Sequence, residues 1–581
     1  MVAAVVAGVV LWRQGGGLER FTEEVPETTV LSLDLSQGLL EAKPDNPLAR
    51  ITLRDTMEMR QFLDALQAAG RDPKVKGLVA RLGRGSLGVA QIQELRDAIA
   101  AFHGQGKFAV AFAESFGEGG HGTLHYYLAS AFQQVWLQPS GDLDMTGLAF
   151  ESPFLRTALG RLGIEARVGQ REEYKGAMSA LTDSQMSEPQ RQNLQRLVDA
   201  WIGQIARGVA EGRGLAPEDV LKLIDQAPFD GEAALGHGLV DRLGYWDQVA
   251  DAVLDQAGDT SELLSLADYE RLRDKPEAEG AVLALVFGLG PVVLDQGEND
   301  PVFGRVVMGA DTVAAAIADA VEDSEVEAIV FRIDSPGGSY VASDAIWREV
   351  QKAREAGKPV IVSMGNLAAS GGYFVAAPAH TIVAQPGTVT GSIGVVAGKL
   401  VLSGLWDKLS INWDGVQAGA NANFWSMNQD FSPEAWARLQ GFLDRTYEDF
   451  TSKVAQGRGL DRDRVLQIAK GQIWSGEDAL RLGLVDELGG LDRAFALARE
   501  AAGLPSDAAY QIQVFPEQLD PIEQLLRDAL GGNIEGLGAG ALVRALARVT
   551  RAVLPLVEAW EQIRADPRSR AVQVPDLRPI Q

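Results

Sequence analysis

The chain has 581 residues, too many for one hydrophobic core, and its 46% hydrophobic and 23% charged residues are an ordinary globular balance that suits two large domains plus tails. A formal net charge of −26 reads as a solvated acidic surface and argues against nucleic acid as a partner, because phosphate binding needs a basic surface. The absence of cysteine excludes disulfides, thiolate nucleophiles and cysteine metal sites, and the five histidines show no metal spacing beyond His121 and His125, which have no third ligand nearby.

In chain order, Met1 to Trp12 comes first, an uncharged apolar stretch followed by Arg13 and a run of glycines. It falls short of the ~20 apolar residues that a straight membrane-spanning helix needs. It also lacks the basic leader and the small-residue cleavage site of a signal peptide. Three readings stay open: an anchor whose real start lies upstream, a shallow interfacial segment, or a disordered start. The acidic stretch from Glu19 to Thr28 suits a domain on the non-cytoplasmic side of a membrane.

From about residue 28 the sequence is written twice. Val-Leu-Ser-Leu at 30–33 returns as Val-Leu-Ala-Leu at 282–285, an offset of 252, and Gly106-Lys107 returns as Gly357-Lys358 at 251. Gln138-Pro139 returns as Gln385-Pro386 at 247, and the run Gly231 to Gly244 returns as Gly476 to Gly489 at 245. The small drift means that the halves are colinear with few indels. A period near 250 residues is too long for a solenoid unit, so one whole domain fold is used twice.

Within each half the pattern predicts strand, helix, strand, helix. Ala328 to Ile333 is a short apolar, β-branched run suited to a buried strand, broken by Asp334-Ser335-Pro336-Gly337-Gly338. Val341 to Glu355 reads as a helix, Pro359 to Met364 as the next strand, Ala369 to Ala379 as a helix and Thr381 to Ala384 as a further strand. Such alternation predicts an α/β fold with mostly parallel strands and crossover helices. Glu188 to Ala210 and Pro433 to Val454 read as matching long amphipathic helices. The expected organisation is an apolar start and linker over 1–27, a domain over 28–254, a polar linker over 255–280, a second domain over 281–505 and a tail over 506–581. The tail holds a glycine-rich segment, 531–540, and an apolar helix over 542–563 suited to packing on a neighbour or a surface.

The chemistry gathers at two successive strand ends of the second half, where ligands in α/β folds usually bind. In Asp334-Ser335-Pro336-Gly337-Gly338, two glycines let the backbone approach a ligand with N–H groups turned inward. Asn366-Leu-Ala-Ala-Ser370-Gly371-Gly372 puts a serine at a predicted helix start, where free N–H groups favour negative charge. The N–H of Gly371 with one from Gly337 or Gly338 could hold the oxyanion of a tetrahedral intermediate. Taken singly, the first motif is an ordinary turn and Ser370 an ordinary N-cap. Their joint occurrence points to a nucleophile. It is not the Gly-x-Ser-x-Gly elbow, since Ala368 stands two before the serine.

A serine needs a base. His380, the only histidine of the second half, is predicted at the far end of the same helix, ~15 Å away at about 1.5 Å per residue. A lysine serves only if burial lowers its pKa, since at about 10.4 roughly one in a few thousand is neutral at pH 7.

On these motifs, together with Gly387-Thr-Val-Thr-Gly-Ser392-Ile-Gly394 and Tyr174-Lys175 in the first half, the chain resembles signal peptide peptidase A in its long duplicated bacterial form, a relative of the Clp protease and crotonase folds. The resemblance covers roughly residues 28 to 500 and implies two tandem Clp/crotonase-like domains. It implies Ser370 as nucleophile, Lys175 as general base, Ser392 as the group that holds the lysine, and Gly337, Gly338 and Gly371 as the oxyanion hole. It implies no metal and no cofactor, leftover signal peptides and similar apolar peptides as substrates, a membrane-bound homo-oligomer, a tetramer in long forms, and a place at the bacterial inner membrane facing the periplasm. At the repeat offset of 247, Ser370 falls opposite Thr123 and Lys175 opposite Ala422, so neither half keeps both members of the pair. Two rivals stay open: a crotonase-like acyl-CoA enzyme, which would not need Ser370, and a non-catalytic membrane scaffold, which would not need Lys175.

Overall fold

The computed structural model describes residues 24–517 apart from Gln37, 45–49, 51–52, 54–55, Arg84, 119–121, 275–279, 295–305 and 506–507. The apolar start Met1 to Trp12, His121, and the glycine-rich and apolar segments expected in the tail lie outside the described residues. Among the described residues no helix is long and apolar enough to cross a membrane.

Two parallel sheets, one per half, carry the fold. The first has the spatial order Arg242–Leu243, Gln134–Leu137, Phe108–Ala113, Val75–Leu82, Thr29–Asp34, Glu262–Ser265, every neighbouring pair parallel. The second runs Ile473–Ser475, Val389–Gly391, Val360–Ala369, Val326–Ser335, Ala281–Leu289, Tyr510–Phe515, with Thr381–Ala384 also paired to Val360–Ala369 and Glu487–Leu488 beyond it. Within this sheet, among the described residues, only the Ile473–Ser475 pairing is antiparallel. The central strands are near-continuous apolar runs because helices cover both faces. Ala109 to Ala113 are all buried, as are Ala328 to Ile333.

The long helices show how closely the halves copy one another. Glu188–Arg213 and Pro433–Arg458 are both 26 residues long. Each is capped by a serine, Ser187 or Ser432, that accepts a first-turn N–H, and each has proline in its first turn. Each ends at a left-handed glycine, Gly214 or Gly459. Buried polar anchors repeat too: Tyr126 Oη donates to Leu239 O at 2.6 Å and Tyr373 Oη to Leu484 O at 2.9 Å. Arg213 pairs with Asp241 as Arg458 pairs with Asp486.

In two places the repeat reaches further than composition predicts. The polar segment 255–280 is not a free linker: Glu262–Ser265 pairs in parallel with Thr29–Ser32 as the edge strand of the first sheet, and Tyr269 is buried with its hydroxyl 3.1 Å from Asp72 Oδ2. Likewise the tail beyond Ser506 opens with Tyr510–Phe515, which adds the same edge strand to the second sheet. An edge strand is half-exposed and therefore polar enough to look like a connection.

The halves pack through the helix Val89–Gly104, whose polar residues Gln91, Gln93 and Glu94 are buried. Gln93 Oε1 accepts Gly387 N–H at 2.7 Å, and Asn366 Oδ1 accepts Gln91 N–H at 3.1 Å. A second tie is an antiparallel ribbon of Glu165–Gln170 with Val396–Val401, one strand from each half. The loops at one end of this ribbon bring Lys175 and Ser392 together.

Candidate active site

Ser370 sits where the strand Val360–Ala369 turns into the short helix Gly371–Ala376. The strand predicted to stop at Met364 runs to Ala369, and the helix is shorter than the predicted 369–379. Ser370 takes φ 55°, ψ −117°, a strained conformation for a residue with a Cβ. Two hydrogen bonds hold it, Ser370 N–H to Gly391 O and Phe374 N–H to Ser370 O, both 2.9 Å. Its hydroxyl caps nothing; it faces Lys175.

The polar neighbours of Lys175 in sequence suggest an exposed loop, yet the side chain is only 4% exposed. Lys175 Nζ lies 2.9 Å from Ser370 Oγ, 3.0 Å from Ser392 Oγ and 2.8 Å from Ser392 O. None of these partners is a carboxylate, so nothing offsets the loss of hydration, and burial pushes the lysine down to about 7. Ser392 also has a positive φ of 49°.

A turn that the sequence reading missed holds both loops. Ser392 N–H donates to Gln472 O at 2.6 Å, Gly471 N–H to Ile393 O at 2.9 Å, and Tyr174 N–H to Lys470 O at 3.2 Å. Gly471, at φ 77°, lies so close under the lysine that a Cβ there would stand 2.5 Å from Lys175 N. Its only sequence signal is a glycine in a loop.

Gly337 and Gly338 close the other side. Gly337, at φ 92°, is packed against Ser370: a Cβ on it would lie 2.7 Å from Ser370 Cβ and 2.5 Å from Gly371 N. Its own N–H donates to Ser335 Oγ at 3.2 Å. The N–H groups of Gly338 and Gly371 have no protein acceptor among the described residues, and a Cβ on Gly371 would lie 3.0 Å from Gly338 N. The pair of neighbouring free donors beside the serine is therefore Gly338 and Gly371, with Gly337 permitting the close approach.

Other candidates lie elsewhere. His380 is not on the helix after Ser370; its Nδ1 accepts Val360 N–H at 3.0 Å and its N–H donates to Val360 O. Val360 opens the strand that ends beside Ser370, ~30 Å away at about 3.3 Å per residue. Thr123 is buried, its hydroxyl bonded to Gly147 O at 2.9 Å, and Ala422 is exposed on a loop.

Beneath the site, Arg332 of the second half is fully buried against two carboxylates of the first, Glu41 at 2.9 Å and Glu94 at 2.8 Å, and also donates to Ser363 Oγ at 2.9 Å. Burial pushes the Glu94 carboxyl up against the pull of Arg332.

Residues 105–259 and 352–505 each match Peptidase family S49. Protease 4 of Salmonella typhi is 32% identical over 97% of this chain and 91% of its own length. Protease 4 of Haemophilus influenzae is 30% identical over 81% of this chain and 78% of its own. The chloroplastic serine protease SPPA of Arabidopsis thaliana is 30% identical over 77% and 66%. Matched twice, once in each structural half, and similar over 97% of its length to Protease 4 of Salmonella typhi, the chain belongs to peptidase family S49 as a long, duplicated member of the signal peptide peptidase A type.

Proposed function

We propose that the chain is an endopeptidase with a Ser/Lys dyad shared between its halves, cutting leftover signal peptides and similar apolar peptides. The observation that carries this is the 2.9 Å contact from Lys175 Nζ to Ser370 Oγ inside a site that offers the lysine no carboxylate. A lysine with a pKa of about 7 is about half neutral at pH 7, so it can take a proton.

Ser370 Oγ attacks the peptide carbonyl as its proton passes to Lys175 Nζ, forming the Oγ–C bond. The N–H groups of Gly338 and Gly371 hold the oxyanion, worth about 10²- to 10³-fold per donor in comparable sites. The intermediate collapses by breaking the C–N bond, and Lys175 returns its proton to the leaving amine. Water then attacks the acyl-enzyme with Lys175 again as base, releasing the acid and Ser370. Ser392, by hydroxyl and carbonyl, keeps Nζ aimed at Oγ in both steps. Attachment to the inner membrane through the N-terminus, a periplasmic site and a homotetramer belong to the same reading.

Incubation of the protein with a synthetic signal peptide, with products identified by mass spectrometry, tests the reading. Cleavage inside the apolar stretch by wild type and none by Ser370→Ala supports it; intact peptide in both rejects it. Light scattering on detergent-purified full-length protein tests the oligomer, a monomer counting against it.

A further inference from the structure

Asp334 opens the motif that leads to Gly337 and Gly338, and the mechanism above gives it no task. Its place in the sheet is unusual. The strands Val326–Ser335 and Val360–Ala369 run in register from Ile329/Val360 to Ile333/Met364, and the next pair is Ser335/Ala368. Between those pairs one strand spends a single residue, Asp334, and the other spends three, Gly365, Asn366 and Leu367. This is a β-bulge, in which ladder hydrogen bonds are lost and the strand bends. The nucleophile strand also changes neighbours here: Ile361 to Met364 pair with Thr381–Ala384, while Leu367 to Ala369 pair with Val389–Gly391.

The Asp334 carboxylate occupies the bulge. Asn366 N–H donates to its Oδ2 at 3.3 Å. Gly365 makes room, since a Cβ there would lie 2.9 Å from the same oxygen. The main chain of Asp334 is bound on the other side, its carbonyl accepting Gly290 N–H at 2.8 Å. Burial and the nearby Glu41 push the carboxyl up to about 7 against the opposing pull of Arg332 and the backbone N–H groups facing it. In the first half the corresponding strand Phe108–Ala113 pairs without a shift and ends at Ala113, the counterpart of Met364 at the offset of 251. Beyond it, among the described residues, only an isolated bridge, Phe116 to Leu143, is made. The filled bulge therefore belongs to the half that carries the serine.

We infer that Asp334 is a positioning residue for the reaction at Ser370: its carboxylate replaces the lost ladder bonds of the nucleophile strand and ties that strand to the loop bearing Gly337 and Gly338. Removing it loosens the distance between nucleophile and oxyanion donors, and a displacement near 1 Å costs about 10²-fold in rate. Substrate binding, made elsewhere, is little changed.

The inference rests on the peptidase reading, and the experiment separates the two. Full-length wild type, Asp334→Ala and Asp334→Asn are assayed on one apolar peptide, with kcat expressed per site labelled by a fluorophosphonate at end point. Asp334→Ala should lower kcat per labelled site by about 100-fold with KM nearly unchanged, and Asp334→Asn, which keeps one acceptor oxygen, should recover part of it. A purely structural role would lower the melting temperature and the labelled fraction but leave kcat per labelled site at the wild-type value, and that result overturns the inference alone. If Asp334→Ala does not fold, Asp334→Asn decides: a lowered kcat per labelled site supports the inference and a wild-type value overturns it. A wild type that neither cleaves nor labels overturns the peptidase reading and this inference with it.

Discussion

Lys175 and Ser370 are 195 residues apart in the chain, one in each copy of a duplicated domain, yet their reactive atoms are 2.9 Å apart. Duplication supplied two scaffolds with the same buried anchors, and the two side chains meet between them. The counterpart of the serine, Thr123, donates its hydroxyl to Gly147 O and faces no lysine among the described residues.

Burying the lysine should cost stability in a pH-dependent way. Its pKa falls from the ordinary 10.5 to about 7 on folding, so between those values the unfolded chain binds the proton and the folded chain does not. Stability contributed at this position should therefore rise with pH from about 7 to about 10.5 and stay low below that window. Lys175→Met removes the cost: it should melt higher than wild type at pH 7, with the gap closing toward pH 10, while cleaving nothing. Calorimetry across pH checks the sign.

Ser392→Ala deletes one of the two contacts that residue 392 makes with Lys175 Nζ and leaves its carbonyl in place. A single hydrogen bond contributes about 1 kcal/mol, so kcat should fall about 5-fold with KM unchanged. Steady-state kinetics on an apolar peptide measures it.

Gly337→Ala should be far more severe, because the added Cβ meets Ser370 and the N–H of Gly371 at a backbone φ of 92°. A loss of about 100-fold or more in kcat is expected. Binding of a peptide boronate, which forms the tetrahedral adduct, should weaken along with it, whereas binding of the uncleaved peptide to Ser370→Ala protein should not change when Gly337→Ala is added.

Arg332→Ala leaves Glu41 and Glu94 buried without their cation. Such a loss costs about 3–5 kcal/mol. Urea unfolding should show the destabilisation, and adding Glu41→Gln and Glu94→Gln should recover most of it. A full wild-type midpoint in Arg332→Ala would show that the cluster does not hold the halves together.

The repeat, the α/β class and the strand ends at Ser370 and Gly337 were legible because they are local: apolar runs, turn residues and a recurrent text. What was not legible is what long-range packing decides. The edge strands Glu262–Ser265 and Tyr510–Phe515 read as linker and tail because half-exposed strands carry polar residues. The turn at Gly471 reads as any loop, since its role depends on Lys175 arriving from the other half. Lys175 itself, amid polar neighbours, became a candidate only through family resemblance, because burial by a partner domain leaves no mark on the residues beside it.

The most direct test of the shared site is the rate at which Ser370 is phosphonylated by a fluorophosphonate, its Oγ displacing fluoride from phosphorus, followed from pH 5 to 10 in wild type and Lys175→Ala. The account predicts a wild-type rate that rises with pH around a midpoint near 7 and a Lys175→Ala rate lower by about 10²- to 10⁴-fold. Wild-type labelling in Lys175→Ala, with the same pH dependence, would contradict it.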